Sequence, residues 1–154
     1  MESNTNSVAD PITAASFVIV FDGQAMGVFS ELGGISTEIT PTEYIVSGNG
    51  MTTLTKQFGQ KKPPTVTLKR GVSDDSLGIW AWYQMAVQGL PAARRSGTLE
   101  LRGADNTPKA IYWMDGVWPS KMDIGNLKAG SSEVVIETLT LTCESIMQMP
   151  VSGG

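Results

Sequence analysis

The chain contains no histidine in its 154 residues. That removes Ser-His-Asp and Cys-His catalysis, together with every histidine-based metal site. A single cysteine, Cys143, excludes an internal disulfide and thiolate metal clusters. No apolar run is long enough to cross a bilayer as a helix. The opening MESNTNSVADP is polar and acidic, without the basic and apolar segments of a secretory signal, so none is expected. The net charge is −4 and the isoelectric point about 4.7, which gives no bulk electrostatic pull towards nucleic acid. Gly23, Gly27, Gly33 and Gly34 have neither the spacing nor the strand–helix setting of a dinucleotide loop and read as turn and bulge glycines. There is no internal repeat. An enzyme built from this chain is left with carboxylate, lysine or tyrosine chemistry.

What is present fits one globular domain. Hydrophobic residues make up 41% and charged ones 17%, a balance that disordered chains do not have. The pattern is strand-rich, with one helix. Thr65–Leu68 is strand-prone, Lys69 and Arg70 end that strand in water, and Gly71 allows a turn. Ser73 or Asp74 is placed to cap the helix that follows, and Asp74 and Asp75 put negative charge at its positive end. Leu77, Trp80 and Val87 define its apolar stripe, widened by Ile79, Trp82, Tyr83 and Ala86. Gly89 and Pro91 stop it.

Around this stretch the strands follow in order. FVIVF at 17–21 is a strand, Asp22-Gly23 is a hairpin turn, and Met26–Leu32 returns. A long loop or hairpin occupies 38–64. Pro41 argues for an edge there, Ser47-Gly48-Asn49-Gly50 is the tip, and GQKKPP at 59–64 is a basic, stiffened return. Residues 98–114 read as a hairpin turning at Asp105, Asn106 and Pro108. Ser132–Ile146 is the longest alternating run, with Val135, Leu139, Leu141 and Cys143 on one face and Glu137 as the polar exception. The expectation is a mainly β fold: an antiparallel barrel or sandwich of about seven strands with one helix laid across it. Residues 1–10 are expected to be a flexible arm, 11–148 the domain, and 149–154 a flexible tail.

Candidate chemistry is thin. Asp74 and Asp75 resemble paired carboxylates, but a helix start accounts for them. Asp22, Asp105 and Asp115 sit at turns, where Asp bonds its own backbone. Trp80, Trp82, Trp113 and Trp118 suit core packing, or else a stacking platform. Lys56, Lys61, Lys62, Lys69 and Arg70 form a basic zone that is either a solvated face or a contact for an acidic neighbour. Cys143, in an apolar run, reads as a buried, inert thiol. No cofactor or metal is implied. A ligand-binding or adhesive β-sandwich and a carboxylate hydrolase stand as the competing readings.

Several stretches carry a resemblance to a known family. TLKRG followed by an acidic turn and a Trp-rich helix resembles the tail-tube proteins of contractile phage tails and injection systems, whose fold is shared with the haemolysin-coregulated tube protein of type VI secretion. DPITAASFVIVFDGQAMGVFSELGGIS is similar to the family's opening. ITPTEYIVSGNG and TKQFGQKKPPTVTLKRGVSDD are similar to its long loop and the strand into the helix. GVWPSKMDIGNLKAGSSEVVIETLTLTCESI is similar to its closing turn and strand. The chain departs from the pattern at Cys143-Glu144-Ser145, where relatives often carry His-Glu-Gly, and at Gly34 beside Gly33.

The resemblance implies a structural, non-enzymatic subunit of an inner tube. It implies hexameric rings that stack inside a sheath and are driven through a target envelope. The implied partners are other copies of the chain, a sheath protein, baseplate, spike and tube-initiator proteins, a terminator and effector cargo in the lumen; nucleic acid is not required. The implied location is cytoplasmic synthesis and assembly into a phage tail or an injection particle that can be released from the cell. The resemblance places the 38–64 excursion between neighbouring subunits. The residues assigned to that contact are Ser47, Gly48, Asn49, Gly50, Lys56, Lys61, Lys62, Lys69 and Arg70.

Overall fold

Two Xaa-Gly turns set the first half of the fold. Asp22 and Gly23 have φ of 52° and 77°, and Asn49 and Gly50 have φ of 53° and 74°. Left-handed residues in pairs twist a two-residue turn to match antiparallel strands. The first joins β1 (Ser16–Phe21) to β2 (Gln24–Phe29). The second joins β3 (Glu31–Gly48) to β4 (Met51–Gly71). The helix α1 (Ser76–Val87) follows, then β5 (Arg95–Arg102), β6 (Pro108–Ile124), β7 (Ile136–Thr142) and β8 (Ser145–Met149). At the β5–β6 turn, Asp105 Oδ1 accepts from the Thr107 N–H at 3.2 Å and from its hydroxyl at 2.7 Å. The structure is a computed structural model that describes residues 11–125, 129–130 and 133–151. The expected arm at 1–10, Asn126, Ser132 and the last three residues of the expected tail lie outside the described residues.

The strand order is β2-β1-β5-β6-β7-β4-β3, with β8 also on β6, and every pairing is antiparallel. β6 is long enough to serve two sheets. Up to Val117 it pairs with β5, and from Trp118 its ladder is with β7. The expected barrel or sandwich is therefore one sheet folded over along β6. Eight strands replace the expected seven because the alternating run to Ile146 bends at Cys143–Glu144. Its register against β6 carries across the bend: Trp118 faces Thr142, and Asp115 faces Ser145. β2 stops at Phe29 rather than Leu32, since the Ser30 N–H donates to the Lys69 carbonyl at 3.0 Å and carries the chain over to the second sheet.

Between the two halves lies one cluster of buried side chains, including Ile19, Phe21, Phe29, Leu68, Leu99, Met114, Leu139 and Leu141. α1 lies against β2 and β6 and sends Ile79 and Trp82 into the cluster. Phe21 and Trp82 meet edge-on at 5.3 Å, and the Trp82 indole N–H donates to the Ala93 carbonyl at 2.7 Å. Gly89, at φ 71°, ends the helix as expected. Its N–H donates to Ala86 and that of Leu90 to Met85, the two bonds of a Schellman cap.

Two expectations about this helix are corrected. Its inward face is Ser76, Ile79 and Trp82; Leu77 is 76% exposed, Val87 61%, and Trp80 only half-buried, against Tyr83. The azimuth is set by Ser76, whose hydroxyl donates to buried Glu137 at 2.7 Å. The expected side-chain cap from Ser73 or Asp74 does not form. Asp75 is the cap residue in helical backbone, and no side chain caps the helix.

Candidate assembly interface

β3 and β4 leave the body of the protein as a ribbon. β4 alternates buried and half-buried from Pro64 onward, but almost every residue between 36 and 63 is exposed. At about 3.3 Å per residue, the exposed part of β4 is about 40 Å long. Cross-strand pairs run to the tip, where Gly48 faces Met51, so the excursion is a hydrogen-bonded hairpin throughout its length. β3 pairs with no other strand and is a sheet edge, which accommodates Pro41 as expected.

Both faces of the ribbon carry exposed apolar side chains. Directly opposed residues share a face, and residues two apart along a strand share it too. One face holds Ile45 against Leu54, then Glu43 against Lys56, then Pro41 against Phe58. The other holds Tyr44, Val46 and Met51 among threonines. Leu54 is 62% exposed, Ile45 66%, Met51 71% and Phe58 93%. A two-stranded ribbon is marginal in water by itself, and an apolar edge strand is a template for pairing with another chain. The contact set assigned from sequence contains none of the four except by neighbourhood: Leu54, Ile45, Met51 and Phe58 all lie outside it. Tyr44-Ile45-Val46, a continuous apolar run beside the turn, was the available signal.

Of the assigned contact residues, the structure gathers Ser47, Gly48, Asn49, Gly50, Lys56, Lys61 and Lys62 on this hairpin. The lysines have acids on the same ribbon: Lys56 pairs with Glu43 at 3.8 Å and Lys62 with Glu38 at 3.5 Å. Lys69 lies far down β4, half-buried between Glu31 and Thr138 on the flanking strands. Arg70 is a correction. It does not end the strand in water but is 5% exposed, with Nε donating to Glu137 at 3.2 Å, Nη1 to the Val28 carbonyl at 3.3 Å, and the guanidinium 4.6 Å from the Phe29 ring centre. Glu137, which faces Arg70 across the β4–β7 ladder, is wholly buried. A charge on each of two adjacent buried strands is tolerable only because they meet.

The remaining candidates have structural roles. Asp22 pairs with Arg95 at 3.4 Å, and Asp115 accepts from the Ser96 hydroxyl at 2.8 Å. Asp74 and Asp75 lie exposed ahead of the helix. Trp82 is in the core while Trp113 is 38% exposed on β6, so the four tryptophans form no common platform. Cys143 is buried, and burial pushes its thiol up to about 11. Among the described residues no cluster of three His, Cys, Asp or Glu is placed to hold a metal, and no helix is long and apolar enough to cross a membrane.

A second surface lies at the hairpin's root. Two adjoining hollows of about 410 and 250 Å³ share Arg94 and Trp118. Leu90 and Pro91 line one end, Lys61 and Pro63 the other. Arg94 reaches across to Glu144 at 2.8 Å and stands 6.0 Å from the Trp118 ring centre.

Comparison with known proteins bears on the fold and the family. The fold matches a chain from the sheath–tube complex of an extracellular contractile injection system (PVC) in its extended state, with a TM-score of 0.72, 18% identity, and 97% of this chain and 100% of that one covered. It matches a chain from the anti-feeding prophage tube-terminating cap at a TM-score of 0.71, 18% identity, with 95% of each chain covered. A chain from the PVC sheath/tube terminator aligns at 0.70, with 17% identity, covering 94% of this chain and all of that one. No curated protein sequence matches. The family model for the T4-like virus tail tube protein gp19 matches residues 13–147, the body and hairpin together. A protruding apolar ribbon on a β-sandwich body, matched over that span, is a structural tube subunit: this chain belongs to the T4-like virus tail tube protein family.

Proposed function

We propose that six copies of this chain close into a ring, that rings stack into a hollow tube within a contractile sheath, and that the β3–β4 hairpin is the contact between neighbouring copies. The observation that carries this is the hairpin itself: apolar on both faces, exposed along about 40 Å, and bordered by an unpaired strand edge. Head-to-tail contacts between unlike patches close into rings when the rotation allows. The subunit acts as a building material and not as an enzyme; Asp22, Asp105 and Asp115 are engaged by Arg95, Thr107 and Ser96. Its partners are a sheath protein, baseplate, spike and initiator proteins that start the tube, a terminator that caps it, and cargo in the lumen. Assembly takes place in the cytoplasm, and the finished particle is a phage tail or a released injection machine.

The hairpin's ion pairs refine the part played by its lysines. Exposed pairs are worth about 0–1 kcal/mol each, so exchanging Glu43 or Glu38 for an acid of a neighbour changes little in one contact. Apolar burial drives the association, and the lysines set its register. Deleting Ser47–Met51 should leave the thermal melt unchanged and abolish tubes, with initiator proteins supplied and the products viewed by electron microscopy. Full-length tubes from the shortened chain would remove the hairpin from the assembly. An intact chain that stays monomeric at high concentration with those proteins present would remove the tube.

A further inference from the structure

Phe58 and the groove beside Trp118 are two exposed surfaces of the chain. Phe58 is 93% exposed, more than any other large hydrophobic residue described, and its strand is held in place by pairing with Pro41. The groove beside Trp118 is apolar along Leu90 and Pro91 and opens to solvent. A ring fixed outside on the ribbon does not fill the hollow of its own copy.

We propose that the groove running from Leu90 and Pro91 past Trp118 to Pro63 seats Phe58 of a second copy of this chain. The proposal rests on the tube reading and names the receptor for one hairpin side chain. Three features favour a second copy as the occupant. The groove ends at Lys61 and Pro63, on the same strand as Phe58, so a seated neighbour continues directly onto the base of this copy's hairpin. Ion pairs on the two sides can exchange partners. Phe58 stands next to the Glu43–Lys56 pair on the same face of the ribbon, and the groove is crossed by Arg94 and Glu144, each more than half exposed; each side offers one acid and one base for exchange. Finally, knob and groove are different surfaces of one chain. Each copy gives one and receives one, the heterologous contact that propagates from subunit to subunit.

The test is a disulfide across the contact. Copies carrying Phe58→Cys and Leu90→Cys together are assembled with initiator proteins, oxidised with copper phenanthroline and run on a denaturing gel without reductant. The expected result is a ladder of covalent multimers that collapses on reduction. All variants are built on Cys143→Ala, because Cys143, although only 1% exposed, lines the groove; that parent and both single variants should stay unlinked. Tubes without a ladder, or a disulfide confined to single chains, overturn the seat and leave the tube reading standing. A covalent dimer formed by either single variant also overturns it, because the introduced cysteine would then meet its own counterpart and not the other side of the contact. In parallel, Leu90→Glu should melt normally and lower tube yield at least tenfold; normal tubes from it would place a different occupant, or none, in the groove. An unmodified chain that forms no tubes overturns the tube reading itself, and the seat with it.

Discussion

Glu137 is a carboxylate with no exposure, and three elements depend on where it points. Its Oε2 accepts from Ser76 on the helix and from Arg70 on β4, while Arg70 reaches the backbone of β2. Its Oε1 and Arg70 Nη2 have no hydrogen-bond partner among the described residues, so the pair falls short of a two-bond fork. Removing one partner strands a buried charge. Glu137→Met or Arg70→Met should each cost about 3–5 kcal/mol by denaturant unfolding, and the two replacements together should cost less than either alone. Additive losses in that cycle would mean that the two charges do not depend on each other. Trp82 is the second such residue. Trp82→Ala should lose about 3–5 kcal/mol, and Trp80→Ala clearly less, because only the first leaves a core cavity and an orphaned Ala93 carbonyl. Cys143 ties stability to alkali. Its folded pKa, about 11, lies above that of a free thiol, so its contribution is complete at neutral pH and is lost as pH rises from about 9 through 11. Cys143→Ala should flatten that limb of the stability profile, and the native thiol should resist iodoacetamide at neutral pH.

Elements were legible where their chemistry is local. Asp22-Gly23, Asn49-Gly50, the turn at Asp105 and the Gly89 stop each follow from a few adjacent residues, and each stands where the sequence puts it. The helix was found too, but its inward face was not. Leu77 is more hydrophobic than Ser76, and only a carboxylate 61 positions away makes Ser76 the inward residue. Arg70 was misplaced for the same reason: a strand-end arginine looks solvated until its partner on β7 is known. In the candidate interface, glycine and lysine drew attention because they mark loops and charge. The apolar residues between them, among them Ile45, Leu54 and Phe58, have no body behind them in the structure. Gly59 gives a prediction at this scale. A Cβ there would run into the Thr40 carbonyl and the Thr42 hydroxyl, beside the register shift between Ile39 and Pro41. Gly59→Ala should therefore loosen the ribbon by about 1–3 kcal/mol and leave the body intact. Faster amide exchange confined to 38–63, with an unchanged melt, is the expected result; protection equal to wild type would show that the bulge absorbs the methyl.

At the scale of the molecule, the strand order separates making from finishing. β7 is the next-to-last strand in the chain, yet it lies between β6 and β4 in the middle of the sheet. Until it arrives, Leu68 and Val66 lack the buried partners Leu139 and Leu141, and Arg70 lacks Glu137. The hairpin does not wait in this way, because its strands are neighbours in sequence. A chain still on the ribosome can therefore expose and pair these apolar strands, marginally stable by themselves, before its own core exists. Synthesis runs at about 5–20 residues per second, so the 64 residues between β4 and β7 (72–135) keep that ribbon ahead of the body for several seconds. During that interval the segment suited to joining copies is open to strands of other nascent chains. Partial chains ending before Thr142 should accordingly aggregate rather than assemble, and chaperone capture during translation should be heaviest in just this window.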